Sequence, residues 1–571
     1  MSDPKRTWRR ASKILLTVAV LLGGSAHAEQ APPMIRPAEL SSSERAELEA
    51  MMAEHIQLTL KEMKPAEGQE FPAKVVVRFD PEGNMLMVEL GRRFVLKPDG
   101  TLNGAYVPDQ LHMLTAVMDT MVAEVKYVGI NYLFDGKNIV YYYPDLKPRA
   151  KKASSTQQDS SYPPFPPYIP PPVNDDPSRM YLPPQPYPLV AYNPPSVAIN
   201  PGHGLYKLYS AGTLDPNYRW TTQRDPSNGL VEDEITPLYA TEVKQWFSER
   251  SPGIDTFSTR STSPLVHEQS TRESGSTHLW TDIGAKYHVE QLYPGRTDLW
   301  DVTSRTDNQR DRAKDINSRA LFADEMGALA MISLHTNAAP DATTALTARG
   351  TQVFYATGQA EGLALASSIA CHMEELIHAQ PTYQNWTMRE TRPSDQYAEN
   401  SGSMPSALVE IAFHTNPDDA LALQDSRFRT ASMKGVEKGY RMWREAKPCQ
   451  PLAIASVTDS TAPRGDKAAS DIHFKGYPTF PVTLKLDIVK CPAGWTCTGG
   501  NSTYQSSQAS PLTWMFACNA STTGVTRVRS TLIDADGVTS NPVESNVTCT
   551  TSTGTTDSSQ GSPFPIVGSA Q

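Results

Sequence analysis

Residues 161–195 contain 14 prolines, interleaved with Tyr, Ser and Asp. Proline lacks the backbone N–H and locks φ, so neither packed helix nor packed sheet accommodates such a run. Residues 147–195 are therefore expected to form an extended, polyproline-like tether, with a reach on the order of 100 Å when fully drawn out. A docking motif for a proline-binding module is the functional alternative to a spacer. A chain of 571 residues divided in this way does not share one core, and two to four domains are expected.

Residues 1–28 have the make-up of a processing segment. Lys5, Arg6, Arg9, Arg10 and Lys13 precede the apolar run Ile14–Leu22, and Ala26-His27-Ala28 is a small-x-small cleavage site. The run is too short to span a bilayer. Arg9-Arg10 hints at the twin-arginine route, but Trp8 and Ala11 fit a general secretory signal better. Cleavage near Ala28 and a soluble mature chain in the periplasm or outside the cell are expected. The formal net charge is −10, and residues 1–28 carry five basic residues and one acid, so the remainder is more acidic still. That balance disfavours nucleic acid as a partner.

Before the tether, residues 36–146 read as a small α+β domain. Ser41 with Glu44 matches a capping box and opens a helix to Met63. Strands are expected at Lys74–Phe79 and Met85–Leu90, then a helix at Pro108–Val122. Strands Tyr127–Phe134 and Ile139–Tyr143 flank the turn Asp135-Gly136. After the tether, residues 196–447 alternate strand and helix signals, with helices expected at 232–249, 310–326, 360–379 and 424–446. The overall fold class is thus α/β: a catalytic domain with a mostly parallel twisted sheet flanked by helices, preceded by the α+β domain and followed by a β-sandwich-like domain. Residues 250–300, rich in Ser, Thr and Gly, read as a long surface loop. Residues 450–555 are rich in Val, Thr and Ser, with strands at Val482–Val489, Leu512–Phe516 and Val525–Ile533, as in an Ig-like sandwich. Residues 556–571 are expected to be a disordered tail. Of the six cysteines, adjacency favours Cys491–Cys497 and Cys518–Cys549, leaving Cys371 and Cys449 as a third pair or as buried thiols.

Three short apolar runs of the middle domain carry the chemistry. They are Val197–Ile199, which leads through Asn200-Pro201-Gly202 to His203, Ala330–Leu334 before His335, and Ala407–Phe413, which contains Glu410. Such runs read as buried parallel strands, and ligand sites in open α/β sheets lie at the strands' carboxyl ends. Two histidines and a carboxylate there are the makings of a hydrolytic zinc site, which needs three protein ligands and one open position. Glu232, after Asn228-Gly229-Leu230-Val231, opens a helix and is a candidate third ligand; Asp233 and Glu234 compete with it, since spacing alone does not separate them. A carboxylate inside an apolar strand is costly unless used or paired, so Glu410 is the candidate general base. Each residue alone has a bland alternative: a structural histidine, a solvated helix acid, a buried ion-pair partner. His267, His278, His288, His372, His378 and His414 have no comparable context and are read as surface or packing residues, with His267 and His288 as secondary substrate-contact candidates.

Ile199-Asn200-Pro201-Gly202-His203-Gly204, Asn228–Glu232, Ser318–Ala323, Ile332–Asn337 and Leu408–Pro417 together resemble the zinc-dependent N-acetylmuramoyl-L-alanine amidases of the Amidase_3 family. The resemblance implies Zn2+ held by His203, Glu232 and His335, with Glu410 catalytic. It also implies cleavage of peptidoglycan at the amide between N-acetylmuramic acid and the L-alanine of the stem peptide. The separation of His203 from Glu232 is longer than the family pattern, and the 250–300 stretch is an addition to it. Little chain separates His335 from the next strand, at Gly350–Phe354, which leaves little room there for the inhibitory helix of some members, so a site open without an activator is expected. The rival readings are a zinc carboxypeptidase-like enzyme acting on stem peptides and a degenerate cell-wall binder. Leu90–Phe94, the helix Leu111–Met121, Val128–Asn131 and Asp135–Lys137 resemble a GerMN domain, which implies an envelope-associated accessory module and cell-envelope proteins as partners of the outer domains.

Overall fold

The computed structural model describes residues 35–104, 106–121, 125–149, 195–209, 218–263, 267, 278–340, 342–551 and 566–569. The expected leader, nearly all of the expected tether and most of residues 264–277 lie outside them.

The N-terminal unit is a four-stranded sheet with two long helices and a short one. Helix α1 (Ser42–Glu62) starts at the expected capping box: the Glu44 N–H donates to Ser41 Oγ (3.3 Å), and the Ser41 N–H donates to the Glu44 carboxylate (2.9 Å). Strands β1 (Val76–Phe79) and β2 (Met85–Glu89) are antiparallel. Helix α2 (Val107–Met121) then crosses over to β3 (Gly129–Phe134), parallel to β2. Met52, Ile56, Leu86, Val88, Phe94, Leu111, Leu114, Met118 and Phe134 form the shared core. The strand expected at Ile139–Tyr143 is absent. Strand β4 is only Lys137–Asn138, and Ile139–Tyr142 is a helix, α3, whose Asn138 side chain accepts from the Tyr141 N–H. The reason is visible in the burial: Ile139 and Tyr143, four apart, are buried, whereas Tyr141 is exposed. That is helical rather than strand periodicity.

The central sheet runs in the order β11-β10-β12-β9-β5-β8, built from β5 (Ser196–Pro201), β8 (Asp255–Ser258), β9 (Ala330–Asn337), β10 (Gln352–Tyr355), β11 (Arg392–Pro393) and β12 (Ser406–Phe413). Strands β8, β5, β9 and β12 are mutually parallel, and β10 runs antiparallel to β12. Every residue of β5, β9 and β12 is buried, as for strands covered on both faces. Helices α4 (Glu232–Arg250), α9 (Ala360–His378) and α11 (Ser426–Arg444) cover one face. Helices α5 (Ala285–Leu292) and α7 (Arg310–Glu325) cover the other. Between them in the chain lie the short helices α6 (Thr297–Trp300), α8 (Ala342–Ala345) and α10 (Pro417–Gln424), and β6 (Tyr206–Tyr209) pairs with β7 (Tyr218–Thr221) as a separate hairpin. Residues 250–300, expected as a surface loop, thus contribute β8, α5 and α6; the polar composition hid the short apolar pattern of Phe257, Val289 and Leu292, all buried.

The C-terminal part is a sandwich of two sheets around Trp514, Phe516, Leu484, Leu532 and Val547. One sheet holds β13 (Ala453–Val457), β15 (Lys467–Lys475) and β18 (Leu512–Ala517). The other holds β14 (Ser460–Pro463), β16 (Val482–Lys490), β17 (Gly500–Tyr504), β19 (Gly524–Ile533) and β20 (Val543–Thr550). The expected disordered tail includes a strand, β21 (Ile566–Ser569), which pairs parallel with β18; the open β18 edge offers backbone donors and acceptors to the apolar pair Ile566-Val567. Disulfides join Cys371–Cys449, Cys491–Cys497 and Cys518–Cys549. None of the described helices is long and apolar enough to cross a membrane.

Candidate active site

Strand register brings the site residues together. In the β9–β12 pair His335 lies opposite Glu410. On the other side of β9, Pro201 lies opposite Leu334, so the next residues of the β5 chain emerge beside His335. A Cβ at Gly202 would lie 2.5 Å from the His335 ring, so the ring requires glycine there. The chain then turns through His203, with φ +54°. The residues separating His203 from Glu232 include the β6–β7 hairpin, which accounts for the long separation.

Helix α4 begins at Glu232, with three acids in its first turn, where the helix dipole favours negative charge. They divide by direction. The Glu232 Oε1 lies 3.4 Å from His203 Nε2 and 3.3 Å from His335 Nδ1, and it accepts from the Thr336 N–H (2.8 Å). Asp233 accepts from the Gly204 and Gln223 N–H groups (2.8 and 3.1 Å) and so holds the turn. Glu234 is exposed. The structure therefore groups His203, Glu232 and His335, with one ligand atom of each within 4.8 Å of the others.

The surrounding side chains fix these groups. Gln223 Nε2 donates to the Asp315 carboxylate (2.7 Å) and to the Gly204 carbonyl (3.0 Å). Its Oε1 is thereby the acceptor facing His203 Nδ1 (3.1 Å). The Nδ1 carries the proton, and the Nε2 lone pair points toward Glu232. Buried Arg319 donates to Asn200 Oδ1 (2.8 Å) and to the carbonyls of Pro201 (2.6 Å) and His203, and it pairs with Asp315. Buried Arg260 donates to the Gly202 carbonyl (2.8 Å).

Burial sets the electrostatics. It holds His203 well below the ordinary histidine range, helped by His335 and Arg224, and it pushes His335 down to about 4 against the pull of Glu399. Both rings are neutral, as metal ligands must be. Burial raises Glu232, and burial with the charge of Glu232 raises Glu410 well above the carboxylate range. Glu232 Oε2, Glu410 Oε2 and His335 Nε2 are buried without hydrogen-bond partners. Orphaned buried acceptors beside two neutral imidazoles and converging carboxylates fit a divalent cation, and a donor set of two nitrogens and a carboxylate oxygen suits zinc.

The expectation of an open site is not met. His203, Glu232, His335 and Glu410 are at most 5% exposed. The space after His335 is indeed short, but the covering group comes from the other direction in sequence. His112, on α2 of the N-terminal unit, places Nδ1 3.8 Å from Glu410 Oε1 and hydrogen-bonds to the Tyr397 hydroxyl. Four further groups around the site were not evident from sequence. Arg224 lies 3.7 Å from Glu232, Glu399 lies 3.6 Å from His335, and Tyr397 contacts His112. His414, read as a packing residue, is bonded to the Thr336 hydroxyl (2.8 Å) and lies 4.0 Å from Glu232. Its position four residues after Glu410 was the available signal. His267 and His288 are buried, and His267 packs between Trp220 and Trp280.

Residues 296–440 match the Amidase_3 family, N-acetylmuramoyl-L-alanine amidase, which gives this region the enzyme class of an amidase. The match includes His335 and Glu410, whereas His203 and Glu232 precede it. No curated protein sequence matches the chain. Solved structures similar to it include the N-acetylmuramoyl-L-alanine amidase AmiC2 of Nostoc punctiforme (18% identity, TM-score 0.28, 44% of this chain and 97% of that one). An N-acetylmuramoyl-L-alanine amidase from Clostridium difficile 630 is similar at 16% identity (TM-score 0.30, 45% and 100%). Ami1 from Mycobacterium smegmatis is similar at 14% (TM-score 0.29, 44% and 98%).

Proposed function

We propose that the protein is an exported, zinc-dependent hydrolase that cleaves peptidoglycan between N-acetylmuramic acid and the L-alanine of the stem peptide. The observation that carries this reading is the convergence of His203, Glu232 and His335 beside Glu410 at the carboxyl edge of the sheet, within and next to the stretch that matches the amidase family. His203, Glu232 and His335 would hold the zinc, which when bound would supply a Lewis acid and a water of lowered pKa. Glu410 takes the proton of the attacking water and delivers it to the leaving L-alanine nitrogen. Gln223 and Arg319 hold His203 in the orientation that this chemistry needs. The basic and apolar make-up of residues 1–28 supports export to the periplasm or beyond, where the substrate is. We read the N-terminal unit as a GerMN-like accessory module and the sandwich as an Ig-like module for envelope partners.

The test is mass spectrometry of purified sacculi digested with the zinc-loaded protein. Stem peptides with a free L-alanine amino group, together with peptide-free glycan, are expected. Release of single amino acids would instead mark a carboxypeptidase. Intact sacculi, with no stoichiometric zinc in the protein, would mark a cell-wall binder.

A further inference from the structure

Helix α2 is buried on two sides. Leu111, Leu114 and Met118 face the core of its own sheet. A second stripe, Asp109, His112, Ala116 and Asp119, recurs at helical spacing, and every member touches the catalytic unit. Asp109 pairs with Arg312 and lies 3.9 Å from Arg224. His112 meets Tyr397 and Glu410. Ala116 packs in a cluster with Ala339, Ala348 and Phe413. Asp119 pairs with Arg392 (2.9 Å) and accepts from Gln352 (2.6 Å).

We propose that the N-terminal unit is a built-in cover of the amidase site, with α2 as its stopper and His112 as the group that fills the space next to Glu410. This inference rests on the assignment of His203, Glu232, His335 and Glu410 proposed above. A glycan strand with stem peptides is a polymer, and a polymer does not reach side chains that are at most 5% exposed. Hydrolysis therefore requires the cover to leave. His112 is only 1% exposed, and its ring meets Tyr397 and Glu410 instead of solvent. The seam is also rich in ion pairs and hydrogen bonds, including Arg305 to the Asn103 carbonyl (3.0 Å) and Ser304 N–H to Asp145 (3.0 Å). Polar seams between units of one chain behave like transient interfaces. The cover remains on the same chain whether seated or released.

The experiment uses the full-length, zinc-loaded protein and the double variant Asp109→Arg/Arg392→Glu. This variant places a cation against Arg224 and Arg312 at one end of the stripe and an anion against Asp119 at the other. Two quantities are read: the rate of zinc removal by excess chelator, and dye release from labelled sacculi. Both are expected to rise at least tenfold. Unchanged chelator access in a variant whose radius of gyration by X-ray scattering has grown would overturn the cover. Faster zinc removal with no dye release supports the cover and overturns the amidase reading, so the two failures are distinct. If the double variant loses its unfolding transition, His112→Ala is the second probe. It leaves both ion-paired ends of the stripe in place and is expected to speed zinc removal several-fold; an unchanged rate there would overturn the assignment of His112 as the stopper.

Discussion

Gln223 decides which nitrogen of His203 faces the site. Its amide is oriented by the Asp315 carboxylate and the Gly204 carbonyl, so its oxygen accepts from His203 Nδ1. Removing that acceptor frees both the tautomer and the ring. Gln223→Leu is expected to weaken zinc binding by about 10–100-fold, the usual effect of losing such an outer partner, measured by chelator competition. Glu410 has a different role and a different signature. On the proposed mechanism Glu410→Gln keeps the three ligands and removes the proton acceptor, so zinc content is expected to stay stoichiometric while hydrolysis falls by about 10²–10⁴. Loss of zinc in that variant would instead make Glu410 a ligand. His203, His335 and Glu410 were legible because each closes or interrupts an apolar run, and a polar residue in that position needs a reason. Glu232 was not separable from Asp233 and Glu234, because the three share one helical turn; only the packing of α4 shows Glu232 facing the histidines, Asp233 the Gly204 turn, and Glu234 solvent. His112 and Arg224 carried no local signal at all, since their contacts with the site are purely tertiary.

Helices α9 and α11 are pressed together by two glycines. A Cβ on Gly439 would lie 2.5 Å from the Ile369 Cα, and one on Gly435 2.5 Å from the Met373 Cα. Backbone on the facing helix cannot yield as a flexible side chain can, so the sign of a substitution is decided by packing. Helix propensity alone makes Gly439→Ala stabilising by about 1 kcal/mol. Overpacking of a close contact costs about 1–3 kcal/mol, and a net loss is expected, read as a lower midpoint in urea unfolding. The same logic explains which elements were readable. Helices α4, α7 and α9 fall within a residue or two of expectation; α4 and α9 bury mainly apolar residues, whereas α7 buries Asp311, Arg312, Asp315 and Arg319 alongside Ile316 and Phe322. The strand expected after Asp135-Gly136 failed because four or five residues are too few for periodicity to separate strand from helix, and Asn138 then caps a helical turn. Nothing in the sequence sets the α2 stripe of Asp109, His112 and Asp119 apart, because polar residues on one face of a helix are ordinarily solvated.

At the scale of the whole chain, the described residues form several core clusters that reach across the units: the N-terminal one takes in Ile316 and Ala398, and that of the sandwich takes in Leu376. How the units meet was not legible, because the residues that join them are far apart in sequence and individually ordinary. The seam between the sandwich and the catalytic unit illustrates this. Asp536, in the turn after β19, accepts two hydrogen bonds from Arg250 at the end of α4 (both 2.8 Å) and one from Lys434 of α11 (2.7 Å), while Cys371–Cys449 ties α9 to the segment that enters the sandwich. Burial alone would raise the Asp536 carboxyl, but the hydrogen bonds and charges of Arg250 and Lys434 overcome it and hold the group well below the carboxylate range. Removing the carboxylate leaves two partly buried cations facing each other, so Asp536→Ala is expected to cost about 3 kcal/mol, read by calorimetry as destabilisation of the transition that includes the sandwich. The sign of its pH dependence follows from the depressed value. The folded state binds this proton more weakly than the unfolded chain, whose aspartate titrates near ~3.9. The stabilisation by Asp536 is therefore fully present above that value and is lost as pH falls through the lower folded value. The gap in stability between the wild type and Asp536→Ala should stay constant from about pH 8 to about pH 5 and shrink only in stronger acid; a gap that closed near neutrality would show that the pair does not hold the seam.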